Sequence, residues 1–177
     1  MTTQVCLWAM LVLVSSIQLY FYLIVFRRLA THQAQALQTT DTESTKTPPV
    51  SVIICAHNEI VNLRKYLLLT LQQHYNNNYE VIVVNDDSTD NSELFLQRLS
   101  RQYSHLKVIH TKGQPRTLKG KKFALTQGIK AARYAHVLLS DADCFPASVH
   151  WLQLMARHFT GTTQIVLGYG PYLPTIP

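Results

Sequence analysis

Four short runs set the strongest limit on how this chain can fold: VSVIICA at 50–56, EVIVV at 80–84, LKVIH at 106–110 and AHVLLS at 135–140. They are mostly apolar and rich in β-branched residues. A strand with one wet face alternates apolar and polar side chains. A run without alternation is buried on both sides, the condition of a parallel sheet between two helical layers. The intervening segments supply those layers. Leu63, Leu67, Leu68 and Leu71 recur at helical spacing. Leu94, Phe95 and Leu99 follow a stretch, Ser88 to Asp90, suited to capping a helix. Lys119 to Arg133 predicts a third helix in spite of Gly128, Ala147 to His158 a fourth, and QIVLG at 164–168 a fifth strand. Strands alternating with helices imply right-handed crossovers, and so an α/β fold with a mostly parallel sheet flanked by helices.

Ahead of this domain, Val5 to Phe26 contains no charged side chain. As a helix it reaches roughly 33 Å, the thickness of a bilayer core. No basic residue precedes the run, which argues against a cleaved signal peptide. Arg27-Arg28 follows it directly, so the positive-inside rule places that end, and the rest of the chain, in the cytoplasm. The division expected is a single-pass transmembrane anchor over 1–28, a polar linker over 29–49 closed by Pro48-Pro49, and a folded domain over 50–177. The formal charge is +6, but the basic residues are scattered and form no arm for nucleic acid. Cys6, Cys55 and Cys144 share no metal-ligand spacing and read as small apolar residues in a reducing compartment.

Ligands of an open parallel sheet bind beyond the carboxyl ends of its strands. The conspicuous polar residues lie there: Asn58-Glu59 after the first strand, Asn85-Asp86-Asp87 after the second, Asp141 and Asp143 after the fourth. Residues i and i+2 of extended chain point the same way, so Asp141 and Asp143 can face one ligand. Two carboxylates that close repel, and a divalent cation removes the conflict; oxygen ligands suit Mg²⁺ or Mn²⁺, often shared with phosphates. Asp86, directly at a strand end, is placed to accept a hydrogen bond from a base N–H or a ribose hydroxyl. Lys119-Gly-Lys-Lys sets positive charge at a helix start, where an anion such as diphosphate would be favoured. The string lacks the spacing of a P-loop. The histidines, His57 included, form no metal-ligand pattern and read as structural.

PVSVIICAHNE, YEVIVVNDDSTDNS, LKGKKFALTQGI and HVLLSDADC, in this order, resemble the inverting family 2 glycosyltransferases over residues 49 to 170. The resemblance implies a GT-A fold, Rossmann-like, and a nucleotide-diphospho-sugar donor, most often a UDP-sugar, held with Mg²⁺ or Mn²⁺. It implies that Ala56, Asn58 and Glu59 line the nucleotide pocket and that Asp86 holds base and ribose. Lys121 would lie near the nucleotide. Asp141 and Asp143 match the D-x-D pair, with Asp143 the metal ligand in the first place and Asp141 nearer the ribose or diphosphate. Membrane-anchored members suggest a lipid or polysaccharide acceptor. Family members continue well beyond the equivalent of GYGPY at 168–172, into a part that holds the acceptor site and the general base. Residues 144 to 177 contain no Asp or Glu. The expectation is therefore a domain incomplete at its C-terminus, carrying the donor half of the enzyme, with a catalytically inactive nucleotide-binding module as the alternative. An exposed apolar edge is expected near residues 164 to 176.

Overall fold

The computed structural model describes residues 2–27, 47–115, 120–168 and 170. Most of the expected linker, together with Lys119, Tyr169 and residues 171–177, lies outside them. The chain divides into two units, Met1–Ser44 and Thr45–Pro177.

In the first unit, helix α1 runs Thr2–Tyr20 and passes into a π-helical stretch, Phe21–Phe26. Its apolar side chains are exposed throughout. Thr3–Phe26, 24 residues, is long and apolar enough to cross a membrane, and the sequence-predicted span falls inside it.

The second unit is a parallel α/β domain. Its elements are β1 (Val50–Ala56), α2 (Ile60–Leu71), β2 (Tyr79–Asn85), α3 (Ser92–Gln102), β3 (Leu106–His110), α4 (Lys121–Ala131), β4 (His136–Asp141) and α5 (Trp151–Ala156). The strands lie in the order β3-β2-β1-β4, every pair parallel. In register, Ala56 pairs with Asn85, Asn85 with His110, and Cys55 with Asp141, so the carboxyl ends of all four strands finish at one edge.

Alternation along each strand assigns side chains to two layers. Val52, Ile54, Val81, Val83 and Leu138 pack with Leu63 and Leu67 of α2, Leu96 of α3 and Leu152 of α5. Ile53, Ile82, Val84 and Val137 face the other way, toward Ala124 and Leu125 of α4. Gly128 lets α4 approach this second face closely: a Cβ there would stand 2.5 Å from Ile53 Cγ2 and 3.2 Å from Val84 Cγ2.

One side chain serves the starts of two helices. Asp90 Oδ2 accepts from the Ile60 N–H at 3.0 Å, and its Oδ1 accepts from the Ser92 N–H at 3.0 Å. Burial pushes the Asp90 carboxyl up, but the hydrogen bonds from Ser92 and Ile60 outweigh it and hold the group below its ordinary value. A depressed carboxylate contributes stability above its unfolded value and loses it as pH falls through the folded one. Asp90→Ala is therefore expected to cost about 1–2 kcal/mol near neutral pH. Urea unfolding should show the gap between wild type and variant closing below about pH 4.

Two expectations are corrected. Residues 164–168 form no strand: Ile165 and Leu167 are 77% and 90% exposed, and the run has no strand beside it to pair with among the described residues. The last helix is confined to Trp151–Ala156, because Ala147 to His150 make bends and turns whose backbone is held by the residues that follow α2. His74 N–H donates to the Val149 carbonyl at 2.7 Å, and Gln73 Nε2 donates to the Ser148 carbonyl at 3.0 Å.

Candidate functional site

A cleft of about 480 Å³ opens at the carboxyl edge of the sheet, on the side covered by α4. Cys55, Ala56, His57 and Glu59 line it from the end of β1, Asp86 from the end of β2, Gly120, Lys121 and Ala124 from the start of α4, and Asp141, Ala142 and Asp143 from the end of β4. Of the residues singled out in the sequence, Ala56, Glu59, Asp86, Lys121, Asp141 and Asp143 are brought together in it.

Asn58 is not among them. It adopts φ 57°, in the left-handed region where a short polar side chain is tolerated. Its Oδ1 accepts from the backbone N–H of Thr89 at 2.7 Å and of Asp90 at 3.3 Å, while its own N–H donates to Ser88 Oγ at 2.9 Å. Asn58 thus stitches the β1–α2 loop to the β2–α3 loop. The stitch places two lining residues side by side: Asp86 N–H donates to the Ala56 carbonyl at 2.8 Å, and His57 Nδ1–H donates to the Asp86 carbonyl at 2.6 Å. His57, read in the sequence as structural, both makes this bond and lines the cleft.

Asp86 is buried, and its Oδ1 accepts from the hydroxyl of Thr111 at 2.7 Å. Thr111 carried no signal in the sequence, since its partner lies on a different strand. Glu59 is steadied by Asn62, whose Nδ2 donates to Glu59 Oε2 at 2.7 Å.

The fourth-strand carboxylates occupy the opposite wall. Ala142 is buried between them while Asp141 and Asp143 line the cleft, Asp141 from the end of β4 and Asp143 from the turn that follows it rather than from extended chain. Lys121 reaches across from α4 and makes an ion pair with Asp141. The hydrogen bond to Asp141 raises the Lys121 ammonium above its ordinary value, so the group stays charged. Gly120, at φ 60° and ψ −146°, starts α4 in a conformation that a residue with a Cβ rarely adopts, and so turns Lys121 into the cleft. Cys55 is pushed up by burial, which keeps it a neutral thiol beside these charges.

The pair Asp141 and Asp143 fits a hard divalent cation in its donor chemistry. Among the described residues no cluster of three His, Cys, Asp or Glu side chains gathers. Two carboxylates are a usual protein share for Mg²⁺ or Mn²⁺, the remaining ligands coming from substrate phosphates and water.

Comparison with known proteins extends this picture. The family model for glycosyl transferase family 2 matches residues 51–172. The beta-monoglucosyldiacylglycerol synthase of Nostoc sp. is 31% identical over 122 residues, which cover 67% of this chain and 26% of that protein. Among solved structures, S. aureus TarS 1-349 in complex with UDP-GlcNAc superposes with a TM-score of 0.50 at 25% identity, covering 59% of this chain and 29% of that one. The mannosyltransferase PcManGT of Pyrobaculum calidifontis, in complex with GDP-Man and Mn²⁺, superposes with a TM-score of 0.56 at 23% identity, covering 80% of this chain and 42% of that one, and shares the fold. The chain spans between 26% and 38% of the length of the curated relatives it matches. With the parallel sheet, the edge cleft and a family match over most of the domain, the chain belongs to glycosyl transferase family 2.

Proposed function

We propose that this chain carries the donor side of a glycosyltransferase that takes a nucleotide-diphospho-sugar, a UDP-sugar in the first place, with Mg²⁺ or Mn²⁺. The sugar passes with inversion to a lipid or polysaccharide acceptor at a membrane. The observation that carries this reading is one cleft lined by Glu59, Asp86, Lys121, Asp141 and Asp143. The family match supports it, as do a relative named for a glycolipid synthase and a neighbour bound to UDP-GlcNAc. The apolar N-terminal helix, with Arg27 directly after Phe26, acts as a single-pass anchor and leaves the domain on the cytoplasmic side.

In this reading Asp86 accepts a hydrogen bond from the base or ribose, with Ala56 and Glu59 forming the adjoining wall. Lys121 and the start of α4 meet the diphosphate, where the helix dipole and the ammonium act together. Asp143, with Asp141, holds the cation, which when bound offsets the negative charge of the departing diphosphate. Lys121 has three N–H donors and spends one on Asp141, so its ammonium can meet phosphate oxygens and share or loosen that bond as it does. With donor bound, the ammonium would turn toward phosphate oxygens, and Asp141 would then be available to help hold a cation or a ribose hydroxyl.

Calorimetry on the whole chain in detergent tests this. UDP is expected to bind in the presence of Mn²⁺ and far more weakly without it. Lys121→Met should weaken UDP about tenfold, the loss of one charge-assisted contact, while Mn²⁺ alone binds more tightly because Asp141 has lost its competitor. No heat with UDP under any condition would overturn the donor-site reading, and equal affinity with and without Mn²⁺ would overturn the role of the cation.

A further inference from the structure

Asp86 is held by a residue just past a strand that contributes nothing to the described lining of the cleft. Thr111 directly follows β3 and is 1% exposed. Its backbone N–H donates to the Asn85 carbonyl at 3.2 Å, and its own carbonyl accepts from the Gln114 N–H at 3.1 Å. The threonine is thereby fixed to the end of β2 by its backbone. Its β-branched side chain has few rotamers, so a fixed backbone leaves the hydroxyl a nearly fixed direction. That hydroxyl is spent on Asp86 Oδ1, at 2.7 Å, in a bond buried from water. A hydroxyl donating to a carboxylate in such a place is stronger than a neutral pair and restricts the rotation of the carboxylate.

The backbone of Asp86 is fixed as well, through its N–H to Ala56 and its carbonyl to His57. The main chain at Asp86 is thus held by β1, its loop and the Thr111 N–H, and the side chain by the Thr111 hydroxyl. A carboxylate that only needed burial would not require both. We propose that Thr111 is a positioning residue for nucleoside recognition: it orients the Asp86 carboxylate and so sets how strongly the cleft prefers a nucleoside diphosphate to bare pyrophosphate. The inference rests on the reading of Asp86 as the nucleoside contact.

The readout is the ratio of affinities for UDP and for pyrophosphate, each titrated with Mn²⁺ on the full chain in detergent. Thr111→Val keeps the shape and deletes the hydroxyl. It is expected to lower UDP affinity about tenfold while pyrophosphate affinity stays at the wild-type value, the loss of one hydrogen bond to a charged group. Thr111→Ser should restore most of the ratio. Thr111→Ala is the second variant if valine disturbs the fold, with the same expected ratio. Equal weakening of UDP and pyrophosphate would show a merely structural role and overturn the proposal. Asp86→Ala separates the two layers of the argument. If it leaves the ratio unchanged, the reading of Asp86 fails; if it lowers the ratio and the Thr111 variants do not, the inference about Thr111 fails alone.

Discussion

Asp143→Ala is expected to lower Mn²⁺-dependent affinity for UDP about a hundredfold, because it removes half of the protein's share of the cation's ligands. The side chain is exposed and sits in the turn after β4. No part of the core leans on it, so thermal unfolding of the variant should match wild type while the calorimetric affinity collapses. Asp141→Ala is a different experiment, because it also strips Lys121 of its partner and leaves an ammonium free to meet phosphate. Its loss should be smaller, because the freed ammonium meets phosphate directly and partly offsets the weakened hold on the cation. Unchanged, metal-dependent UDP binding by Asp143→Ala would mean that the two carboxylates are not the cation site.

Gly128→Val is expected to destabilise the domain by about 3 kcal/mol. Glycine is a poor helix former, and at an open position its replacement would be a gain of up to about 1 kcal/mol. Here a Cβ would meet Ile53 Cγ2 at 2.5 Å and Val84 Cγ2 at 3.2 Å. Both partners are β-branched residues buried in the sheet, 1% and 0% exposed, and neither can swing aside. Valine adds two further methyl groups to that contact. Urea unfolding measures the loss, with Gly128→Ala as a milder step in the same direction. A variant as stable as wild type would mean that α4 can lift from the sheet without cost. Since α4 delivers Lys121, such a shift should also show in UDP affinity.

The four strands could be read in advance because runs such as Val81–Val84, buried on both faces, have no polar residue to conceal them. The convergence of Asp86, Asp141 and Asp143 followed from topology alone, since parallel strands bring their carboxyl ends to one edge. What remained hidden depended on partners far away in the chain. QIVLG has the composition of a strand, yet a strand exists only by pairing, and residues 164–168 pair with none of the described strands. Asn58 stands in the expected loop, but its left-handed backbone aims the amide at Thr89 and Asp90, a direction no local pattern reveals. Gly128 was visible as an anomaly in a helix; its reason lies in Ile53, on β1. Thr111 looked like an ordinary loop threonine, and its hydrogen bond spans 25 positions of sequence.

The stitch between the β1–α2 and β2–α3 loops gives the cleft two jaws of unlike stiffness. On the nucleoside side, Asn58 and Asp90 tie together the turns that carry Glu59 and Asp86, and amide exchange in the two turns is expected to move together. A change at Ser88 or Thr89, neither of which lines the cleft, should therefore behave like damage to the binding wall itself. On the facing jaw the backbone belongs to β4 and α4, but the Lys121 and Asp141 side chains are held by an ion pair open to solvent, whose strength falls as salt rises. Raised salt should therefore loosen the side chains of one wall and leave the hydrogen-bonded loops of the other as they are.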